Sequence, residues 1–282
     1  MPWKTAMSRG CMRSTRGCWA GGKRQLLPEL LARVPVKFGA YYEPFLGGGA
    51  MFFALRDRDM LKDRVVLGDA NRELVNCWWG IQFRVEDVVT TLTGMPHSKD
   101  FYLQLRKESP NYLDCADLAA RFIYLNRTGY NGLYRVNKSG AFNVPFGDYK
   151  DPTICDAAGL RAAARALEKV TVTWNDFARA VEDAGEGDLV YLDSPYPPRD
   201  ATAKFDAYTV ERFGPEDHER LRDLAVELKF KRGSHVLLSN ADVPPVWELY
   251  EGRGFTIKRV SARRNINCKG GGRGPVGEVI IT

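Results

Sequence analysis

The sequence predicts an α/β chain, with a mixed, largely parallel sheet covered by helices and interrupted once by a mostly helical insert. Three observations carry that expectation. Short apolar runs alternate with amphipathic stretches up to residue 81 and again from about 166. The first run, Tyr41–Phe45, leads directly into the glycine-rich turn Leu46–Gly49. Between 82 and 165 the alternation stops and a polar, aromatic, glycine-rich stretch takes over. The expected division is therefore one domain made of 1–81 and 166–282, with 82–165 inserted into it.

The elements follow in order. Gln25–Val34 has apolar positions at helical spacing, and Pro28 is tolerated near a helix start. Tyr41–Phe45 is a short strand and Ala50–Leu55 a helix. Arg64–Leu67 is a second strand ending at Gly68-Asp69-Ala70-Asn71, followed by a helix over Glu73–Gln82. Within the insert, Phe101–Glu108 and Ala116–Leu125 are helical and lead into the irregular stretch 126–147. A helix over Gly159–Val170, a strand over Val170–Trp174 and a helix over Phe177–Asp183 come next. Asp188–Leu192 is a buried strand that ends at Asp193-Ser194-Pro195-Tyr196. Glu216–Lys231 is an amphipathic helix with Glu216 and Asp217 in its first turn, where acidic groups complement the dipole. His235–Leu238 is a strand, and Phe255–Val260 with Glu278–Thr282 closes as a hairpin.

Composition narrows the function classes. Of 282 residues, 44% are hydrophobic and 27% charged, which suits a globular core. No apolar run reaches the roughly 20 residues of a membrane helix, and no apolar stretch follows the basic first eighteen residues as in a secretory signal. The six cysteines are scattered, a pattern of reduced thiols that points to the cytoplasm. Windows 1–28, 121–150 and 259–273 together hold 16 of the 41 basic residues and 1 of the 35 acidic ones, leaving 25 basic against 34 acidic elsewhere. A basic surface on an acidic body suits a polyanion, although the same windows also suit solvated loops. His97, His218 and His235 lie far apart without ligand spacing, so no metal is expected.

Two constellations carry chemistry. In Glu43-Pro44-Phe45-Leu46-Gly47-Gly48-Gly49, glycines after a strand let backbone approach a ligand, and the next helix offers N–H donors. Asp69 ends the following strand 22 residues after Gly47, near the interval at which an acidic side chain meets ribose hydroxyls. The second constellation, Asp193–Tyr196, also follows an apolar strand, where ligands of such sheets bind. The amine of adenine is a poor nucleophile because its lone pair is delocalised into the ring. A carboxylate from Asp193 and the carbonyl of Ser194, accepting its two hydrogens, would orient it for attack. Pro195 stiffens the turn, and Tyr196 offers a ring on which an extruded base can stack. Taken alone, the tetrapeptide also reads as an Asx-type turn.

Several blocks in order resemble the Dam-type DNA adenine-N6 methyltransferases of the D12 class. They are Trp19–Lys23, Glu43–Gly49, Gly68–Asn71, Tyr124–Leu133, Arg135, Phe142–Gly147 and Asp193–Tyr196, with further similarity over Ala201–Tyr208 and Ser239-Asn240. The resemblance implies a Rossmann-like methyltransferase sheet, S-adenosylmethionine as methyl donor, and double-stranded DNA with a short site, GATC or a variant, as partner. It implies that Trp19, Lys23, Glu43, Phe45, Gly47, Gly49, Asp69 and Asp193 line the cofactor pocket. It implies catalytic roles for Asp193, Ser194, Pro195 and Tyr196, and places Arg127, Tyr130, Asn131, Leu133, Arg135, Pro145 and Tyr149 against DNA. Arg135 is the expected reader of guanine, consistent with the bidentate pairing of arginine to O6 and N7. Residues 82–165 then become the target-recognition domain, and a single copy of the chain suffices. Two positions depart from the family pattern: Ser194 stands where proline is usual, and Cys18 where a DNA-contacting lysine is usual.

Rival readings are methylation of the cytosine N4 amine, which uses nearly the same pocket, and a degenerate homologue that binds DNA without turnover. Cytosine C5 chemistry needs a Pro-Cys nucleophile, and the chain has no such pair.

Overall fold

The computed structural model describes residues 25–110, 113–137, 140–197, 213–263 and 275–282. Its seven-stranded sheet comprises β1 (Tyr41–Glu43), β2 (Val65–Asp69), β3 (Thr171–Trp174), β4 (Leu189–Leu192), β5 (His235–Ala241), β6 (Ile257–Arg263) and β7 (Pro275–Ile281). The order across the sheet is β3-β2-β1-β4-β5-β7-β6. Strands β1 to β5 pair in parallel, whereas β7 runs antiparallel to both β5 and β6, which is the expected closing hairpin. Chain order reverses between β1 and β4, since the chain leaves β1 toward β2 and β3 and returns to build β4 on the other side. Open α/β sheets bind ligands in the crevice at such a reversal, outside the carboxyl ends of the strands. The glycine turn follows β1 and the Asp193 tetrapeptide follows β4, so topology alone brings the two constellations together.

The central strands are largely apolar because both faces are covered, with polar side chains toward their carboxyl ends. Tyr41, Leu67, Tyr191, Leu237 and Ile280 face one core, while Tyr42, Val66, Val190, Leu192, Leu238 and Val279 face the other. This is the alternation that a period of two imposes.

The described helices are α1 (Leu27–Leu31), α2 (Ala50–Arg56), α3 (Arg72–Gly94), α4 (Lys99–Lys107), α5 (Cys115–Thr128), α6 (Ala157–Ala166), α7 (Phe177–Ala180), α8 (Pro215–Phe230) and α9 (Pro244–Tyr250). Several start on side-chain caps. Asn71 accepts from the Leu74 amide at 3.2 Å, Ser98 from Phe101 at 3.2 Å, and Asp114 from Ala116 at 2.8 Å. Helix α3 runs well past residue 82, through non-helical angles at Arg84 (φ −138°, ψ 34°), and packs against α5 and α6. The insert thus grows out of a helix that also covers the sheet. Helix α9 had no counterpart in the sequence expectation. Among the described residues, no helix is long and apolar enough to cross a membrane.

Two members of the basic windows already have partners within the protein, one of them buried and one at the surface. Arg121 is 3% exposed, pairs with Glu73 at 3.1 Å and donates to the Leu105 carbonyl. Arg259 pairs with Asp242 at 3.0 Å, and its guanidinium lies 4.4 Å from the centre of the Trp247 ring. Charge counting along the chain had no means of distinguishing these from free cations.

Candidate active site

The glycine turn is held by two side chains from outside it, Asp69 and Trp78. Gly47 and Gly49 have φ of 48° and 66°, the left-handed region that glycine enters without steric cost. Asp69, at the carboxyl end of β2, accepts from the Gly47 amide at 3.0 Å with one oxygen and from the Asn71 amide at 2.9 Å with the other. The Trp78 indole on α3 donates to the Gly47 carbonyl at 3.1 Å. Beneath the turn, the buried Glu43 accepts from the Tyr41 hydroxyl at 2.8 Å and from the Phe52 amide, in the first turn of α2, at 3.1 Å. Burial pushes Glu43 up to about 8, with the nearby Asp193 charge adding to the rise. Burial likewise pushes Asp69 up to about 6, against the two amide bonds that favour its charged form.

An adenosyl group fits these residues. The Asp69 carboxylate stays partly accessible, and each oxygen retains a lone pair beyond its amide bond, as a ribose diol requires. Phe45 is partly buried beside the turn and stacks on Phe177 from α7 at 5.5 Å, giving an aromatic wall for a heterocycle. Phe177 was absent from the residues expected at the site, as was Trp78, which reads as core from helical spacing. Trp19, Lys23 and Cys18 lie outside the described residues, as does the block Ala201–Tyr208.

The tetrapeptide leaves β4 and is held by side chains from β5 and β7. The Ser239 hydroxyl donates to Asp193 Oδ1 at 3.1 Å. Asn240 Nδ2 donates to the Ser194 hydroxyl at 3.3 Å, and Ser194 is only 2% exposed. The Tyr196 hydroxyl donates to Glu278 Oε2, on β7, at 2.9 Å. Pro195 is exposed and Tyr196 partly buried. Serine in place of the usual proline therefore adds a buried hydrogen bond at this turn.

The insert gathers most of its expected DNA residues on one knuckle. The Tyr130 amide donates to the Pro145 carbonyl at 2.9 Å and the Gly147 amide to the Thr128 carbonyl at 2.8 Å, tying the end of α5 to the 142–147 segment. Asn131 sits at φ 55° in the short 3₁₀ turn Tyr130–Gly132, and the exposed Tyr149 donates to the Gly129 carbonyl at 3.2 Å. A Cβ at Gly147 would come within 2.3 Å of the Tyr149 ring, so a larger residue there would displace that side chain. Leu133 and Arg135 follow on a small hairpin closed by the Val136–Phe142 bridge, and Arg135 Nε donates to the Asn143 amide oxygen at 2.7 Å. Between them, the Tyr134 hydroxyl is buried beside Glu73 and Asn71, which places the hairpin over the carboxyl end of β2. Arg127 sits apart from this group, facing a small apolar cavity behind the glycine turn with Gly47, Gly48, Trp78 and Asp156.

The sequence matches the D12 class N6 adenine-specific DNA methyltransferase family over residues 19–266. It is 39% identical to the Type II methyltransferase M1.LlaDCHI of Lactococcus lactis subsp. cremoris, over 94% of this chain and 93% of that one. It is 38% identical to the Type II methyltransferase M.MjaIII of Methanocaldococcus jannaschii, over 89% and 92%. To the DNA adenine methylase of Escherichia coli K12 it is 34% identical, over 93% and 92%. A Rossmann-like sheet, a glycine turn answered by an acidic residue and an Asp-Ser-Pro-Tyr turn at the same crevice are thus accompanied by similarity along almost the whole chain, which belongs to the D12 class of N6 adenine-specific DNA methyltransferases.

Proposed function

We propose that this adenine-specific DNA methyltransferase uses S-adenosylmethionine as methyl donor and acts on an adenine flipped out of a short duplex site, GATC or a variant of it. The observation that carries the reading is the convergence of the Asp69–glycine turn and the Asp193 tetrapeptide on the β1/β4 crevice. The cofactor would lie along the turn, with Asp69 toward its ribose and Phe45 beside its base, and Trp19 and Lys23 are proposed as further pocket residues. Glu43 is proposed as a further cofactor-pocket residue, with Oε2 held by Tyr41 and Phe52. Bound there, S-adenosylmethionine supplies a methyl group on positively charged sulfur.

The chain's own residues then have distinct tasks. A base inside a duplex cannot reach the crevice, so the target adenine is extruded and stacked on Tyr196. The Asp193 carboxylate accepts one amine hydrogen and the Ser194 carbonyl the other, which returns electron density to nitrogen and aims its lone pair. Asp193 is also the nearest acceptor when the methylated amine sheds its extra proton. No covalent enzyme intermediate is needed. Tyr130, Asn131, Leu133, Arg135, Pro145 and Tyr149 would contact DNA, with Arg135 reading guanine, and residues 82–165 would form the recognition domain. Cys18 removes one expected lysine contact, which favours a variant of GATC at the outer base pair. The cytoplasm is the proposed location, with one copy of the chain as the working unit.

The test is transfer of labelled methyl to a duplex library. Asp193→Ala is expected to abolish turnover while leaving DNA retention within a few-fold, and nucleoside analysis of the wild-type product should give N6-methyladenine. Near-normal turnover by the variant would overturn the catalytic assignment. Mapping the modified adenines tests GATC directly.

A further inference from the structure

We infer that Ser239 and Tyr191 are positioning residues for methyl transfer: their hydroxyls form a buried relay that fixes the Asp193 carboxylate. The inference rests on the reading of Asp193 as acceptor for the adenine amine. Ser239 is 0% and Tyr191 1% exposed; Tyr191 stands in the otherwise apolar strand β4, and Ser239 follows the apolar run Val236–Leu238 in β5. A hydroxyl taken out of water is costly unless it is hydrogen-bonded, so two of them at the centre of a sheet need a reason.

Register supplies the geometry. Leu192 pairs with Leu238 in the parallel β4–β5 ladder, so Asp193 and Ser239 are the next positions and share a face. Tyr191, two residues before Asp193, is on that same face. The Ser239 hydroxyl donates to Asp193 Oδ1 at 3.1 Å and lies 3.0 Å from the Tyr191 hydroxyl. A serine hydroxyl has one proton, and that proton goes to the carboxylate. Tyr191 is therefore the donor to Ser239. Burial pushes the Tyr191 phenol well up, which keeps it protonated as this arrangement requires.

Both protons in the relay thus point toward Asp193. A carboxylate attached to a strand end would otherwise rotate about its last torsion. With Oδ1 claimed by a fixed donor, the plane of the group is set, and with it the direction in which the amine hydrogen is accepted. Positional control of this kind acts on the chemical step more than on binding.

The test compares Ser239→Ala, Ser239→Thr, Tyr191→Phe and the Ser239→Ala/Tyr191→Phe double variant with Asp193→Ala, in the full chain with duplex substrate and S-adenosylmethionine. Ser239→Ala should lower kcat by roughly 10- to 100-fold, the scale of one hydrogen bond to a charged group. Its KM for DNA and for cofactor should stay within about twofold, and Ser239→Thr should recover most of kcat. Tyr191→Phe should lower kcat less, and the double variant should be no slower than Ser239→Ala, because both changes interrupt one relay. Full turnover by Ser239→Ala, or strictly additive losses, would overturn the relay. If Ser239→Ala fails to fold, Ser239→Thr and Tyr191→Phe decide: wild-type kcat from Tyr191→Phe overturns the relay, and a selective fall in kcat supports it. Asp193→Ala separates the two levels. Turnover by that variant would end the acceptor reading itself, whereas its inactivity beside a fully active Ser239→Ala would end only the relay.

Discussion

At the scale of single residues, the chain shows how far a local pattern can carry a chemical reading. Asp193, Asp69 and the glycines were legible because each follows an apolar strand and the residue types match a task. The contacts that hold them were not, since the partners of Asp193, Ser194 and Tyr196 lie 46, 46 and 82 residues further along. Ser194 stands where the family usually has proline, and its hydroxyl accepts a buried hydrogen bond from Asn240 that a proline ring could not. Arg135 is the residue on which specificity should turn. Asn143 holds its Nε at 2.7 Å, leaving the guanidinium oriented before DNA arrives. Arg135→Ala should reduce discrimination at one guanine by about 1–3 kcal/mol, while total affinity for non-cognate duplex changes little. Competition binding with single-base variants of the mapped site would show it, and an equal loss on every sequence would reassign Arg135 to the phosphate backbone.

At the scale of elements, α3 is the piece that sequence periodicity described least well. Its first half reads clearly, but its continuation to Gly94 is carried by contacts with α5 and α6. The crossing depends on Gly80, where a Cβ would stand 2.4 Å from the Cys115 carbonyl oxygen and 2.5 Å from the Ala119 methyl. Glycine in a helix is usually a weakness, and here it lets two helices approach. Gly80→Ala should therefore destabilise the protein by about 1–3 kcal/mol, despite the better helix propensity of alanine. A thermal melt would detect this as a fall of several degrees, and an unchanged or raised midpoint would contradict the crossing geometry. Helix α9 escaped notice for a different reason: at seven residues, led by Pro244-Pro245, it is too short for a periodic signal.

At the scale of the whole molecule, the strands and their order of appearance were readable because buried parallel strands are short, apolar and regularly spaced. The electrostatics were readable only in outline, with Arg121 buried against Glu73 and the exposed Arg259 paired with Asp242. Two buried carboxyl groups make stability depend on pH. Glu43 is held up at about 8 and Asp69 at about 6, so the folded protein binds more protons than the unfolded chain between their ordinary values and these. Their contribution is complete at low pH and is lost as pH rises, through about 4.5 to 8 for Glu43 and about 3.8 to 6 for Asp69. Glu43→Gln, which keeps acceptors for Tyr41 and Phe52, should lessen the decline in melting temperature between pH 5 and 8. Parallel curves for the variant and the wild type would show that Glu43 is not the group being titrated.

The bond from Tyr196 to Glu278 has a further consequence, one of timing. It spans 82 residues and cannot form until β7 has inserted between β5 and β6. Closure of so long a loop is entropically costly and belongs late in folding. The turn that receives the base is therefore finished only when the sheet is, so a chain that has collapsed without its last pairing can carry every catalytic side chain and still lack the Glu278 bond to the Tyr196 hydroxyl.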